Sequence, residues 1–168
     1  MERSLQTFLE FARPAKSARR HFDMTELIDQ IFLLIEGRAF QQSVVCIKTG
    51  DPDQPWTVDT DRDKIQQLLL NLVLNALDAM PKGGTLEIHL GRVHDGQQEM
   101  RVIDSGPGID ETVLSKLFEP FVTTKETGVG IGLAISRRIA EEHGGGLTAY
   151  NLPEGGACFT LRLPVSSK

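Results

Sequence analysis

Four polar side chains recur three or four residues apart in an otherwise apolar stretch of this sequence: Gln67, Asn71, Asn75 and Asp78. In an α-helix, which turns by about 100° per residue, they share an arc of roughly 80°. A solvent-exposed stripe usually carries Lys and Glu, which favour helices more than Asn and Asp do. A buried amide without a partner costs about 1–3 kcal/mol. We therefore predict that this face lines a cavity with polar contents; a thin solvent-exposed stripe is the alternative.

A second candidate group is the carboxylate of Asp104. It continues the phase of Met100 and Val102 at the end of a predicted strand, and so it points toward the core side of the sheet. An ionised carboxylate without a partner is costly there, and the exocyclic amine of a base is a suitable donor. Gly106 and Gly108 follow and allow tight turns and close backbone approach. An ordinary glycine-containing turn is the alternative.

Glycines also precede a later helix, in the segment Gly128-Val129-Gly130-Ile131-Gly132-Leu133. The free N–H groups and the dipole at a helix N-terminus attract anions, and Lys125, next to Thr124, could add a positive charge. A flexible loop before an ordinary helix is the alternative. The Walker motif and the complete Rossmann fingerprint are both absent from the sequence.

The three groups together predict one site for a nucleotide and a magnesium ion. The carboxylate suits a purine amine, the amide oxygens suit a hard cation, and the glycine-rich helix start suits phosphates. Mg²⁺ takes oxygen ligands and usually shares its coordination sphere with water and substrate phosphates, so one neutral Asn oxygen is sufficient.

The elements that must position these groups can be predicted from apolar periodicity and turn residues. Asp23 and Asp110 are candidate N-caps, and His94-Asp95-Gly96 is a hairpin turn. An additional helix face lies in the first thirteen residues, followed by a basic linker that includes Arg19 and Arg20. Helices are predicted at 25–35, 62–80, 111–117 and 131–143, and strands at 43–48, 56–59, 85–93, 97–104, 147–151 and 157–163. This order predicts an α+β fold with an antiparallel-rich sheet covered on one side by helices.

Composition narrows the class of protein. The 168 residues correspond to about one domain. The net charge of −5 argues against a general nucleic-acid binder. We expect Cys46 and Cys158 to be buried free thiols, which fits a reducing compartment. No apolar run approaches the ~20 residues of a membrane span, so we expect a cytoplasmic location.

The motifs resemble those of the catalytic, ATP-binding domain of sensor histidine kinases of two-component systems, in the superfamily shared with gyrase, Hsp90 and MutL. Residues Asn71 to Asp78 resemble the N box, and residues Asp104 to Ile109 resemble the first G box. Residues Phe118 to Phe121, continuing into Thr124-Lys125, resemble the F box, and residues Gly128 to Leu133 resemble the second G box. The four boxes occur in order, with similar spacing, within residues 23–164. The resemblance implies a two-layer α/β sandwich, known as the Bergerat fold, with a mixed sheet and helices on one face.

The resemblance also implies roles for individual residues. Asn75 would ligate Mg²⁺, Asp104 would bind the adenine amine, and residues 105–130 would form a mobile lid over ATP. The implied ATP-binding residues are Asn71, Asn75, Asp78, Asp104, Gly106, Gly108, Ile109, Thr124, Lys125, Gly128, Val129, Gly130, Ile131, Gly132 and Leu133.

Position 71 separates two activities within this superfamily. Gyrase-like ATPases carry a glutamate there as the general base for water, whereas Asn71 cannot accept a proton at neutral pH. Transfer of the γ-phosphoryl group to a histidine mainly needs positioning and charge neutralisation. We therefore expect a histidine kinase; the alternatives are a gyrase- or Hsp90-type ATPase and an ATP-sensing interaction module without transfer activity.

The phosphoacceptor histidine is expected outside this chain. None of His21, His89, His94 and His143 lies in the family's His-Asp/Glu-x-x-Asn/Thr-Pro-Leu pattern. Residues 1–22 resemble the end of a dimerisation and phosphoacceptor helix with a linker, and residues 23–168 resemble the catalytic domain. The implied partners are the protein's own phosphoacceptor domain, in a homodimer of the full-length protein, and a response-regulator receiver domain.

Overall fold

The computed structural model describes residues 18–51, 53–92, 95–122 and 131–165. The helix predicted in the first thirteen residues lies outside the described residues, as do the candidate site residues Thr124, Lys125, Gly128, Val129 and Gly130. The elements follow in the order β1 (Arg19–Asp23), α1 (Met24–Gln42), β2 (Val44–Gly50), β3 (Thr57–Asp61), α2 (Arg62–Ala79), β4 (Gly84–Arg92), β5 (Gln97–Asp104), α3 (Glu111–Leu114), α4 (Gly132–Glu142), β6 (Gly146–Asn151) and β7 (Ala157–Pro164).

Five strands form one mixed sheet in the order β2-β4-β5-β7-β6. Strands β2 and β4 are parallel, and all other neighbours are antiparallel. The core is closed by α1, α2 and α4, which pack over the face that carries Leu86, Ile88, Met100, Val102 and Leu161. The predicted two-layer sandwich, with a mixed sheet and helices on one face, is confirmed.

Three aspartates begin helices by accepting hydrogen bonds from first-turn N–H groups, which lack intrahelical partners. Asp23 accepts from Thr25 N at 2.8 Å, and Asp110 accepts from Thr112 N at 2.8 Å, as predicted. Helix α1 is longer than predicted and ends at Gln42, where Ser43 adopts a left-handed conformation (φ 60°). The predicted helix ends at residue 35, the last of the apolar residues that repeat at helical spacing, because the exposed Phe40 does not continue that face.

Strand β1 corrects the interpretation of Arg19 and Arg20 as part of a linker. The strand pairs antiparallel with β3 in a separate two-stranded sheet, with Arg19 opposite Asp61 and Asp23 opposite Thr57. Its first three side chains are exposed, so the segment lacks the apolar alternation by which a strand is recognised. The pairing with β3, more than thirty residues away, makes it a strand.

Asp61 connects three elements at the start of α2. Its Oδ1 accepts from Asp63 N at 3.1 Å and caps the helix, while its Oδ2 accepts from Ala18 N at 3.1 Å. The Asp61 N–H donates to Nε2 of the buried His143, 3.3 Å away, and Nδ1 of that ring lies 2.7 Å from the Ile139 carbonyl oxygen. Nδ1 therefore donates and Nε2 accepts, which is the hydrogen-bonding pattern of a neutral imidazole.

No helix in the described ranges combines the length and apolar character that a bilayer span requires. Cys46 and Cys158 are free thiols, with Cys158 buried and Cys46 half-buried. Burial raises the pKa of the Cys46 thiol.

Substituting Asp61→Ala removes the N-cap of α2 and leaves the Ala18 N–H without its carboxylate acceptor. We expect the free energy of unfolding to fall by about 1 to 2 kcal/mol, measured by urea denaturation. Asp61→Asn is the matched control, since it keeps an acceptor for the helix and should retain most of the stability. Equal losses in the two variants would contradict the capping role.

Candidate functional site

Asn71 joins α2 to the beginning of α4. Its Nδ2 donates to the Gly132 carbonyl and to Ser136 Oγ, both at 3.3 Å, and the Ser136 hydroxyl donates to the same carbonyl at 2.9 Å. Asp61, at the start of α2, contacts His143, at the end of α4. The two helices therefore run in opposite directions, and the last two turns of α2 extend beyond the first residue of α4.

The first turn of α4 presents backbone N–H groups at this junction. The N-cap residue is Ile131, whose buried apolar side chain offers no acceptor for them. Such groups have no intrahelical partners, and with the helix dipole they favour a bound anion. The predicted site residues Ile131, Gly132 and Leu133 therefore lie at a helix start that can accept a phosphate.

Asp104 ends strand β5 on the core side, as its phase predicts. It is 5% exposed, and its Oδ1 accepts from Gly106 N at 2.9 Å and from Ala157 N at 3.4 Å. Burial raises the pKa of the Asp104 carboxyl, although these two backbone N–H groups act in the opposite direction. The carboxylate is therefore only partly compensated by the protein, as expected for a group that binds a ligand's amine.

The loop after β5 packs over the C-terminal end of α2. A Cβ atom on Gly106 would lie 2.9 Å from the Ala79 carbonyl oxygen and 3.1 Å from Ala79 Cβ, so only glycine fits this contact. Gly108 has φ +87° and touches Asn151 and Gly156 instead. Ile109 is partly buried against the core.

Asn75 lies between these two contacts. It is half-buried, one helical turn after Asn71 and one turn before Ala79, so the two contacts are about 12 Å apart along α2. Asp78, one turn after Asn75, is exposed and pairs with Arg38 of α1 at 2.5 Å. The last two turns of α2 therefore form a wall, with the start of α4 at one end and Asp104 with its glycine loop at the other.

The side chains around this wall can be compared with the ligands that a metal ion requires. Within the described part of the chain, no group of three or more His, Cys, Asp or Glu side chains could hold a metal ion. Mg²⁺ takes oxygen ligands and usually shares its coordination sphere with phosphate and water. A single amide oxygen from α2 fits that requirement.

Sequence reasoning missed several contributors to the site. Ser136 supports Asn71, Ala157 supplies an N–H to Asp104, Arg38 pairs with Asp78, and Asn151 holds the loop after β5. Ser136 has one sequence signal, its spacing of four residues from Gly132. The other three come from elements distant in sequence, and their contacts depend on the tertiary arrangement.

Comparisons with known proteins agree with this geometry. Residues 60–167 match the family of histidine kinase-, DNA gyrase B- and HSP90-like ATPases. The chain is 36% identical over 162 residues to the signal transduction histidine-protein kinase AtoS of Escherichia coli (strain K12), covering 96% of this chain and 26% of AtoS. The solved catalytic domain of histidine kinase ThkA is 32% identical with a TM-score of 0.78, covering 88% of this chain and 97% of that chain.

A second ThkA structure, in complex with the response regulator protein TrrA, has a TM-score of 0.84 and 30% identity, covering 98% of this chain and 47% of that chain. The chain belongs to the histidine kinase-, DNA gyrase B- and HSP90-like ATPase family. Within that family it is a catalytic, ATP-binding domain of the sensor histidine kinase type. It spans 26% to 36% of the length of the curated relatives that it matches.

Substituting Asp104→Asn tests the electrostatic cost of this site. Because the pKa of Asp104 is raised in the folded state, its charge destabilises the fold at neutral pH, and the cost disappears as the pH falls through the folded-state pKa. We expect Asp104→Asn to unfold at higher urea concentration than the wild type at pH 7, with the difference shrinking toward pH 4.

Asp110→Ala is the control variant for which we expect the opposite change in stability. The Thr112 hydroxyl and N–H lower the pKa of Asp110, so its charge stabilises the fold at neutral pH, and this contribution disappears as the pH falls through its folded-state pKa. This variant should be less stable than the wild type at pH 7. A pH-independent effect of Asp104→Asn would contradict the assigned cost.

Proposed function

We propose that this chain binds Mg·ATP beside the last two turns of α2 and donates the γ-phosphoryl group to a histidine on another segment. An aspartate of a response-regulator receiver domain would then receive the phosphoryl group. Support comes from the arrangement of Asp104, Asn75 and the α4 start along one wall, and from the similarity to histidine kinases. The complex of ThkA with TrrA supports the choice of partner.

Recognition of the base is assigned to Asp104. Its carboxylate is buried and only partly compensated by two backbone N–H groups, so an exocyclic amine of adenine would supply a donor. A base bearing a carbonyl at this position would oppose one acceptor with another and bind less well. The assigned recognition therefore favours ATP.

Recognition of the phosphates is assigned to the opposite end of the wall. The first turn of α4 offers N–H groups and the positive end of its dipole, and Thr124, Lys125, Gly128, Val129 and Gly130 remain predicted contacts on the preceding segment. Asn75 would hold Mg²⁺, which when bound neutralises charge on the phosphate oxygens.

The hydrogen bonds of Asn71 are the observation that favours phosphoryl transfer over ATP hydrolysis. Its amide donates to the Gly132 carbonyl and to Ser136 Oγ, and an amide cannot take a proton from water at neutral pH. The residue at this position therefore supports the α4 start and does not activate water. Positioning and charge neutralisation remain, and these are what phosphoryl transfer to a histidine mainly needs.

The proposal extends to the setting of the domain. We place it in the cytoplasm, since both cysteines are free thiols. Its partners would be its own phosphoacceptor domain, within a homodimer, and a receiver domain. The division into residues 1–22, as the end of a phosphoacceptor helix with a linker, and residues 23–168, as the catalytic domain, stays a prediction, except that Arg19 and Arg20 pair with β3 and therefore lie with the catalytic domain.

Substituting Asn75→Ala removes the assigned magnesium ligand. We expect affinity for ATP in the presence of Mg²⁺ to fall at least about 10-fold, while the weaker magnesium-independent binding changes little; isothermal titration with and without the ion measures both. Gln66→Ala is the matched control, because Gln66 lies on the same helix and pairs with Arg62 outside the site. Undiminished magnesium-dependent affinity in Asn75→Ala would remove this assignment.

Phosphoryl transfer can be tested directly with ATP labelled on its γ-phosphate. The chain is mixed with a separately purified phosphoacceptor domain of a sensor histidine kinase relative such as AtoS, and we expect acid-labile label on the histidine of that domain. Asn75→Ala should reduce the labelling. Rapid phosphate release without labelled histidine would favour an ATPase, and tight binding with neither product would favour a sensing module; both outcomes contradict the proposal.

A further inference from the structure

We propose that Asn151 is a positioning residue of the nucleotide site, through which the turn end of the β6–β7 hairpin fixes the loop after β5. Asn151 is the last residue of β6 and lies outside the four sequence boxes. The inference rests on the proposed function for its effect on nucleotide affinity, whereas its effect on the loop itself does not depend on a ligand.

Asn151 makes two short hydrogen bonds to the backbone of a single residue. Its Oδ1 accepts from the Ile109 N–H at 2.7 Å, and its Nδ2 donates to the Ile109 carbonyl at 2.7 Å. A side-chain amide thus pairs with Ile109 as a neighbouring strand would. Nδ2 also lies 3.3 Å from Glu111 Oε1, in the first turn of α3, so the same side chain reaches the next helix.

The surrounding backbone is shaped to allow this pairing. A Cβ atom on Gly108 would lie 2.9 Å from Asn151 Oδ1, and the residue has φ +87°, so a larger side chain would disturb the contact. Gly156, in the turn of the same hairpin, has φ +97°, and a Cβ there would lie 2.0 Å from the Asp104 carbonyl oxygen. Glycine at both positions lets the hairpin approach the loop.

The hairpin consequently holds the loop after β5 at two points. The Ala157 N–H donates to the Asp104 carboxylate before the glycines, and Asn151 holds Ile109 after them. Because both ends are fixed, Gly106 stays packed against the end of α2 and Asp104 keeps its orientation toward the site. Such a preorganised loop loses less conformational entropy when a ligand binds.

Two variants, measured by isothermal titration of Mg·ATP, test the effect on affinity. Asn151→Ala should weaken binding about 10-fold, since two hydrogen bonds to the loop are lost. Thr148→Ala, an exposed position on the same strand, should leave binding unchanged. Equal affinity in Asn151→Ala and the wild type would overturn the inference.

Asn151→Asp separates positioning from a general loss of packing. An ionised carboxylate keeps the acceptor for the Ile109 N–H, but it opposes the Ile109 carbonyl and Glu111, which should raise the pKa of the introduced carboxyl. When protonated, this group again offers one donor and one acceptor. The ratio of its Kd to the wild-type Kd at the same pH should therefore fall toward 1 between pH 8 and pH 5. A ratio close to 1 at pH 8, where the introduced carboxyl is ionised, would overturn the inference, even if Asn151→Ala binds weakly or fails to fold.

Amide hydrogen exchange keeps this inference separable from the proposed function. In the protein without nucleotide, Asn151→Ala should accelerate exchange of the Ile109 N–H about 10-fold, with Val102 N–H in the centre of β5 unchanged. Unchanged exchange at Ile109 would overturn the positioning role. A wild-type chain that fails to bind Mg·ATP, with accelerated exchange at Ile109 in the variant, would remove the proposed function and leave the positioning role in place.

Discussion

Helix α2 must satisfy polar groups at both of its ends and along one side, and it does so with side chains from other elements. Asp61 caps its first turn, and Gln42 of α1 donates to the Leu77 and Met80 carbonyls at its other end, at 2.7 Å and 3.0 Å. In its middle, Asn71 donates to the start of α4. Because an unsatisfied buried group costs about 1–3 kcal/mol, these contacts fix both the position and the rotation of α2. The direction of Asn75 depends on them.

Asp104 illustrates how the site opposes the stability of the fold. A carboxylate on the core side of β5 would normally be replaced by an apolar residue, as at Met100 and Val102 of the same strand. The protein instead offers it two backbone N–H groups, and these leave its pKa above that of an ordinary carboxyl. A charge that is kept despite this cost is typical of a functional position. In the proposed function, the adenine amine supplies the additional donor that these two N–H groups do not provide.

Much of the fold could be predicted from local sequence, because local rules decide where helices start and how strands face the core. The caps Asp23 and Asp110, the apolar faces of α2 and α4, and the strand phase of Asp104 are all readable in this way. Strand β1 could not be predicted, because its side chains are mostly exposed and its partner β3 is distant in sequence. The additional turns of α1, residues 36–42, include the exposed Phe40, which local periodicity assigns to no helix face.

In the candidate site, too, the residues with a local sequence signal could be predicted, whereas the contacts between distant elements could not. The polar face of α2, Asp104 and the glycines were found because their residue types are unusual for their positions. The contacts that hold them were not found, since Asn151, Arg38 and Ala157 are ordinary residues in their own elements. The wall itself arises from a length difference: α2 (18 residues) runs antiparallel to α4 (11 residues) and overhangs its start by about two turns. The polar residues Asn75 and Asp78 lie on this overhang, where α4 provides no apolar surface to cover them.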